Sequence, residues 1–123
     1  MQSLCSAVLI VNGVYDVLCA LCMLFLPDGC PLSTLHLNVF AEDEHRNHPI
    51  VRRLMAFWLM TYGMVRFIGG VEDSCLFAAA FTYCIEALYF AHEGLCRTTI
   101  WWKSVAVSFF SLAMGGALGL ACD

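Results

Sequence analysis

Residues 52–93 read RRLMAFWLMTYGMVRFIGGVEDSCLFAAAFTYCIEALYFAHE. Two apolar runs flank the turn Gly69-Gly70-Val71-Glu72-Asp73, and each run carries a charge within it: Arg66 before the turn and Glu86 after it. A charge at mid-bilayer costs about 2.5–3.5 kcal/mol on insertion scales, so such residues face protein or another polar group rather than lipid. The stretch therefore reads as a transmembrane hairpin built to contact something other than hydrocarbon.

Working outward, the whole chain has that character. It has 123 residues, is 61% hydrophobic and has a mean hydropathy of +0.78, too apolar for a water-soluble globule. A helix crossing the bilayer needs about 17–25 residues, and four such spans use up the length. The expected fold is all-α, a four-transmembrane-helix bundle forming a single integral membrane domain over residues 1–123. The spans are placed at about 4–26, 50–70, 74–95 and 98–120, with a solvated loop over 27–49. Five of the six basic residues, Arg46, Arg52, Arg53, Arg97 and Lys103, fall on one side of this arrangement. The positive-inside rule then puts the basic loops on the cytosolic, matrix or stromal side and both termini opposite. No basic n-region or Arg-rich presequence is visible, so no cleaved targeting peptide is expected.

In the first span Asn12 and Asp16 are four residues apart and share a face with Cys19, a polar stripe expected to face the bundle. Asp16 and Glu86 come out at similar depth, so the two carboxylates are expected to share one proton as a structural staple. Folding the hairpin about Val71 pairs Arg53 with the level of Glu93 and Trp58 with the level of Glu86, and leaves Arg66 and Glu86 at different depths. The first span should stop at Pro27-Asp28-Gly29. Leu35, Leu37 and Val39 suit a short extended or interfacial piece, and residues 41–48 are charged and polar enough to be solvated. In the fourth span Trp101-Trp102-Lys103 forms an interfacial belt, and Gly115-x-x-x-Gly119 is a small-residue face for packing inside the bundle or docking another helix.

Eight cysteines are present, but Cys19, Cys22 and Cys84 lie in apolar spans, where cysteine behaves as a small hydrophobe. Cys30, His45 and His48 match no zinc-site spacing. No phosphate-binding glycine loop, Ser-His-Asp arrangement, histidine box or basic nucleic-acid face is visible, so neither a metal nor a cofactor is expected, with structural lipid the one bound molecule admitted. Three other classes rest on less: a proton or solute carrier through Asp16, Glu86 and Arg66, a thiol oxidoreductase using Cys19-x-x-Cys22 and Cys30, and a pigment or haem protein ligated by His92.

Several of these residues also form a pattern. Arg53, then Trp58, then Arg66-Phe67 followed by a glycine, resemble the second span of the fungal and animal ergosterol-biosynthesis scaffold family. Thr82-Tyr83 and Phe90-x-x-Glu93 resemble that family's third span, and Asn12 is compatible with its first. The present hairpin turn is shorter, and Arg97-Thr98 is displaced by about one residue. The resemblance implies a small four-helix protein of the endoplasmic reticulum that tethers the sterol C4-demethylation enzymes and is not itself an enzyme. Arg53, Arg66 and Glu93 are its matched polar positions. The implied partners are other transmembrane subunits and membrane lipid, not nucleic acid. An accessory subunit of a respiratory or photosynthetic complex, in the mitochondrial inner membrane or the thylakoid, is the competing assignment.

Overall fold

The computed structural model describes residues 2–26 and 29–121; the expected turn at Pro27-Asp28 and the eighth cysteine, Cys122, lie outside the described residues. Helix α1 runs Gln2–Phe25, and two short helices follow, α2 at Leu32–Leu35 and α3 at Asp43–Asn47. Then come α4 at Pro49–Val71, α5 at Leu76–Leu95 and α6 at Trp101–Ala121. Among the described residues four helices, α1, α4, α5 and α6, are long and apolar enough to cross a membrane. The chain is an integral membrane protein.

Local chemistry sets the ends of these helices. Pro49 sits in the first turn of α4, where its missing N–H is not needed, and His48 Nδ1 accepts from the backbone N–H of Ile50 at 3.3 Å. Helix α5 closes differently. Thr98 N–H donates to Glu93 O and Arg97 N–H to Gly94 O, a Schellman closure whose αL residue is Arg97, at φ 58°, rather than glycine. The Thr98 hydroxyl reinforces it by donating to the Glu93 carboxylate. The chain bends at Thr98 and forms an isolated antiparallel bridge between Phe40 and Thr99, so the fourth span starts at Trp101 rather than Thr98.

Successive long helices pack antiparallel. Gly70 lies against Ser6 and Ile10, and Gly13 against Gly63 and Phe67. Arg66 reaches Thr82 and Glu86 on α5, while Ser108 donates to Ala87 O and Gly115 abuts Cys84. The α1–α4 seam is extensive, as is α5–α6; α1 and α6 scarcely touch. A Cβ on Gly13 would come within 2.6 Å of Gly63 O and Phe67 N, so glycine is what allows α1 and α4 to approach backbone to backbone.

Two apolar clusters hold the bundle. One, at the end of the first turn between spans, gathers Cys19, Met23, Met55, Leu59 and Phe90; the other gathers Leu9, Leu76, Ala79, Tyr83 and Leu118. Among the described residues, the loop expected to be solvated over 27–49 is in part buried. Ser33, Leu37, Val39 and Phe40 are buried, the last three within the first cluster, as α2 and a 3-10 turn at Leu37–Val39 rather than as an extended piece. Lys103 ties this cap to α6 by donating to Asn38 O at 2.8 Å. Residues 41–45 and 47–50 are exposed.

Candidate functional site

Between the two apolar clusters lies an ionic one. Arg66 is 2% exposed and uses each guanidinium nitrogen: Nε donates to Thr82 Oγ1 at 3.1 Å, one terminal nitrogen to Asp16 Oδ2 at 2.7 Å, and the other to Glu86 Oε2. Its guanidinium carbon lies 3.9 Å from the centre of the Tyr83 ring, a cation–π contact. Asn12 Nδ2 donates to the Tyr83 hydroxyl at 2.6 Å, and Thr82 Oγ1 donates to Ala79 O. Three spans, α1, α4 and α5, are thus joined through one arginine.

Arg66 and Glu86 meet, contrary to the expectation from counting along the hairpin. A 3-10 turn at Asp73–Cys75 displaces the pairing, so Trp58 lies against Tyr89 and Phe90, about one helical turn beyond Glu86. Helical side chains also lean toward the helix N-terminus, which carries the long Arg66 side chain back to the level of Glu86. The shared-proton staple between Asp16 and Glu86 is replaced by a cation between two carboxylates. A buried charge left alone would cost several kcal/mol, and paired and hydrogen-bonded charges avoid that penalty.

The Arg53–Glu93 pair does not form. Arg53 is exposed, and Glu93 is held by Thr98 and by His92 Nδ1 at 3.0 Å. Trp58 packs edge-on against Tyr62 and Tyr89, with centroids 5.3 and 4.9 Å apart, and serves as an aromatic anchor of the cap. Gly115 is buried against Cys84, Ala80 and Tyr83, whereas Gly119, like Gly116, has nothing within 4 Å of its would-be Cβ. The small-residue face therefore divides into an inward half and an open one. Of the cysteines, Cys22 and Cys30 come together, with sulfurs 3.0 Å apart, while Cys19 is buried; all seven described are free thiols.

Three residues that the sequence did not single out complete the site. His36, from the cap, places Nε2 3.9 Å from Asp16 Oδ1 and its ring 5.6 Å from that of Tyr15. Burial, and then the nearby Arg66 charge, push its pKa down to about 4, so the imidazole is neutral. Tyr15 stands beside it, and Ser111 comes from α6. A cavity of about 560 Å³ opens where α1 and α6 part, with Asp16, Arg66, Glu86 and Asn12 at its polar end and Leu35, Phe90, Val107 and Phe110 among its apolar walls. It exists because α6 leans on α5 and leaves α1 uncovered on that side.

A family model described as Erg28 like protein matches residues 7–118. The chain belongs to that family. Erg28 like proteins are scaffold or accessory proteins of sterol biosynthesis, and the match covers the second and third spans, most of the first and fourth, and the Asp16–Arg66–Glu86 cluster. Neither the curated proteins nor the solved structures contain a match to the chain. The match lends nothing to the respiratory or photosynthetic assignment. For an Erg28 like protein the ionic cluster reads as an internal clamp: both carboxylates and the arginine are engaged with one another.

Proposed function

We propose that this protein is a non-catalytic scaffold of the endoplasmic reticulum membrane, holding sterol-biosynthesis enzymes, those of C4-demethylation foremost, in one assembly. The observation that carries this reading is the family match over residues 7–118. The geometry is compatible with it. The strongly polar groups within the spans are spent on joining α1, α4 and α5, while α6 turns Phe109, Leu112 and Leu120 outward alongside the uncovered Gly116 and Gly119. Small residues on an exposed transmembrane face let a partner helix approach closely, so α6 is the face assigned to partners. The basic residues Arg46, Arg52, Arg53, Arg97 and Lys103 are assigned to the cytosolic side and both termini to the lumen.

Affinity purification of the tagged protein from endoplasmic-reticulum membranes tests this. Sterol C4-demethylation enzymes should co-purify in mild detergent, and Gly119→Leu should reduce their recovery without changing the helical content of the purified chain. Recovery of respiratory or photosynthetic oxidoreductase subunits instead would overturn the assignment.

A further inference from the structure

The cavity between α1 and α6 is more than a gap left by poor packing. Two polar atoms buried at its wall, Ser111 Oγ and His36 Nδ1, have no hydrogen-bond partner in the protein, although Ser111 is fully buried. Buried polar atoms are nearly always paired, so an orphaned pair along one cavity points to a group that the chain itself does not supply. Ser108 faces Ala87 and Gly115 faces Cys84 and Ala80, which places Ser111 at the level of Tyr83 to Glu86 across the α5–α6 seam. Glu86 gives one carboxylate oxygen to Arg66 and keeps 15% of its side chain exposed. At that depth the cavity therefore offers an acceptor in the Glu86 carboxylate and both a donor and an acceptor in the Ser111 hydroxyl.

The charge balance selects among ligands. One guanidinium faces two carboxylates beside a neutral imidazole, so the polar end has no surplus positive charge for a phosphate or carboxylate headgroup. Leu35, Val39, Phe90, Val107 and Phe110 line the remainder, together with Trp102, and of these Trp102 and Phe110 are more than half exposed. The volume falls in the range of about 300–1,000 Å³ typical of small-molecule sites. Lys103 at the rim is already engaged with Asn38 O.

We infer that this cavity binds an uncharged monohydroxy lipid of sterol size, its hydroxyl donating to Glu86 and accepting from Ser111 Oγ, its apolar body lying between α1 and α6. The hydroxyl and the size come from the cavity; the choice of a sterol among lipids of that kind rests on the function proposed above.

The test uses the full chain in phosphatidylcholine nanodiscs with a photoreactive cholesterol analogue that keeps its free hydroxyl. Labelling should concentrate on Ala106, Val107 and Phe110 and be displaced by unlabelled sterol, with the sterol methyl ether at least about fivefold weaker, the loss of one hydrogen bond. Ser111→Ala removes an unpaired hydroxyl, so the chain stays folded while apparent affinity drops by about fivefold. Ala106→Trp, at an exposed position on the cavity wall, should abolish labelling. If Ala106→Trp does not fold, the methyl ether and Ser111→Ala decide. Label spread over lipid-facing residues such as Phe77 and Leu88 and indifferent to Ser111→Ala overturns the proposal, as does equal displacement by diacylglycerol. Because no partner enzyme is present, a negative result leaves the co-purification outcome untouched, and the converse holds too.

Discussion

The two seams of helix α1 differ in kind. Toward α4 the backbones touch through Gly13 and Gly63, with the Arg66 clamp beside them; toward α6 the helices part, and a cavity with unpaired polar atoms fills the space. Both seams run through equally apolar sequence. What separates them is where glycine and charge sit. In lipid there is little hydrophobic drive between helices, so association depends on close packing and polar pairing, and α1–α4 has both.

The largest expected effect comes from opening the closed seam. Arg66→Ala strips two buried carboxylates of their cation and should destabilise the bundle by about 3–5 kcal/mol, measured as detergent or denaturant resistance of the purified protein. Loss of less than about 1 kcal/mol would mean that the clamp is decorative.

Next comes the open seam and its pH dependence. The folded state keeps His36 neutral down to about 4, whereas the unfolded chain takes up a proton near 6.5. Between those values the unfolded state binds more protons, so stability falls as pH drops from about 6.5 to about 4 and is flat for this group above that window. The effect should reach about 2–3 kcal/mol and disappear in His36→Gln, with Asp16, Arg66 and Tyr15 the groups facing the ring. A pH profile unchanged by His36→Gln would detach the cap from this account.

The glycines test the comparison directly. Gly13→Ala forces a methyl into Gly63 O and should cost about 1–3 kcal/mol, whereas Gly119→Ala meets nothing and should leave stability unchanged. Equal effects would erase the distinction between the seams. The smallest expected change is a gain. Arg97→Gly relieves the left-handed backbone at the α5 end and should stabilise by about 1 kcal/mol, read as a rise in Tm.

Much of this architecture was legible in the residues. Four spans follow from length and hydropathy, and Asp16, Arg66 and Glu86 had to find company because each is charged inside a span. Which company they found was not legible, since the hairpin register turns on a 3-10 segment at Asp73–Cys75 that no residue announces, and on the lean of a long arginine side chain. The Gly13–Gly63 crossing was not legible because Gly13 is the single glycine of α1 and Gly63 stands seven residues from Gly70, outside the small-x-x-x-small spacing, while the more conspicuous Gly115-x-x-x-Gly119 is only half used. The buried cap and the cavity depend on how far α6 stands from α1. Leu37, Val39, His36 and Ser111 carry no periodicity that reports such a distance.

The measurement that bears most directly on the central claim replaces the clamp by neutral residues, Asp16→Asn with Arg66→Met and Glu86→Gln, and asks for partner capture from endoplasmic-reticulum membranes. If the charges serve only to join α1, α4 and α5, this variant is more stable than Arg66→Ala and still co-purifies the sterol enzymes. A neutral variant that folds but captures none of them would show that the charges themselves do the protein's work, and would contradict the account.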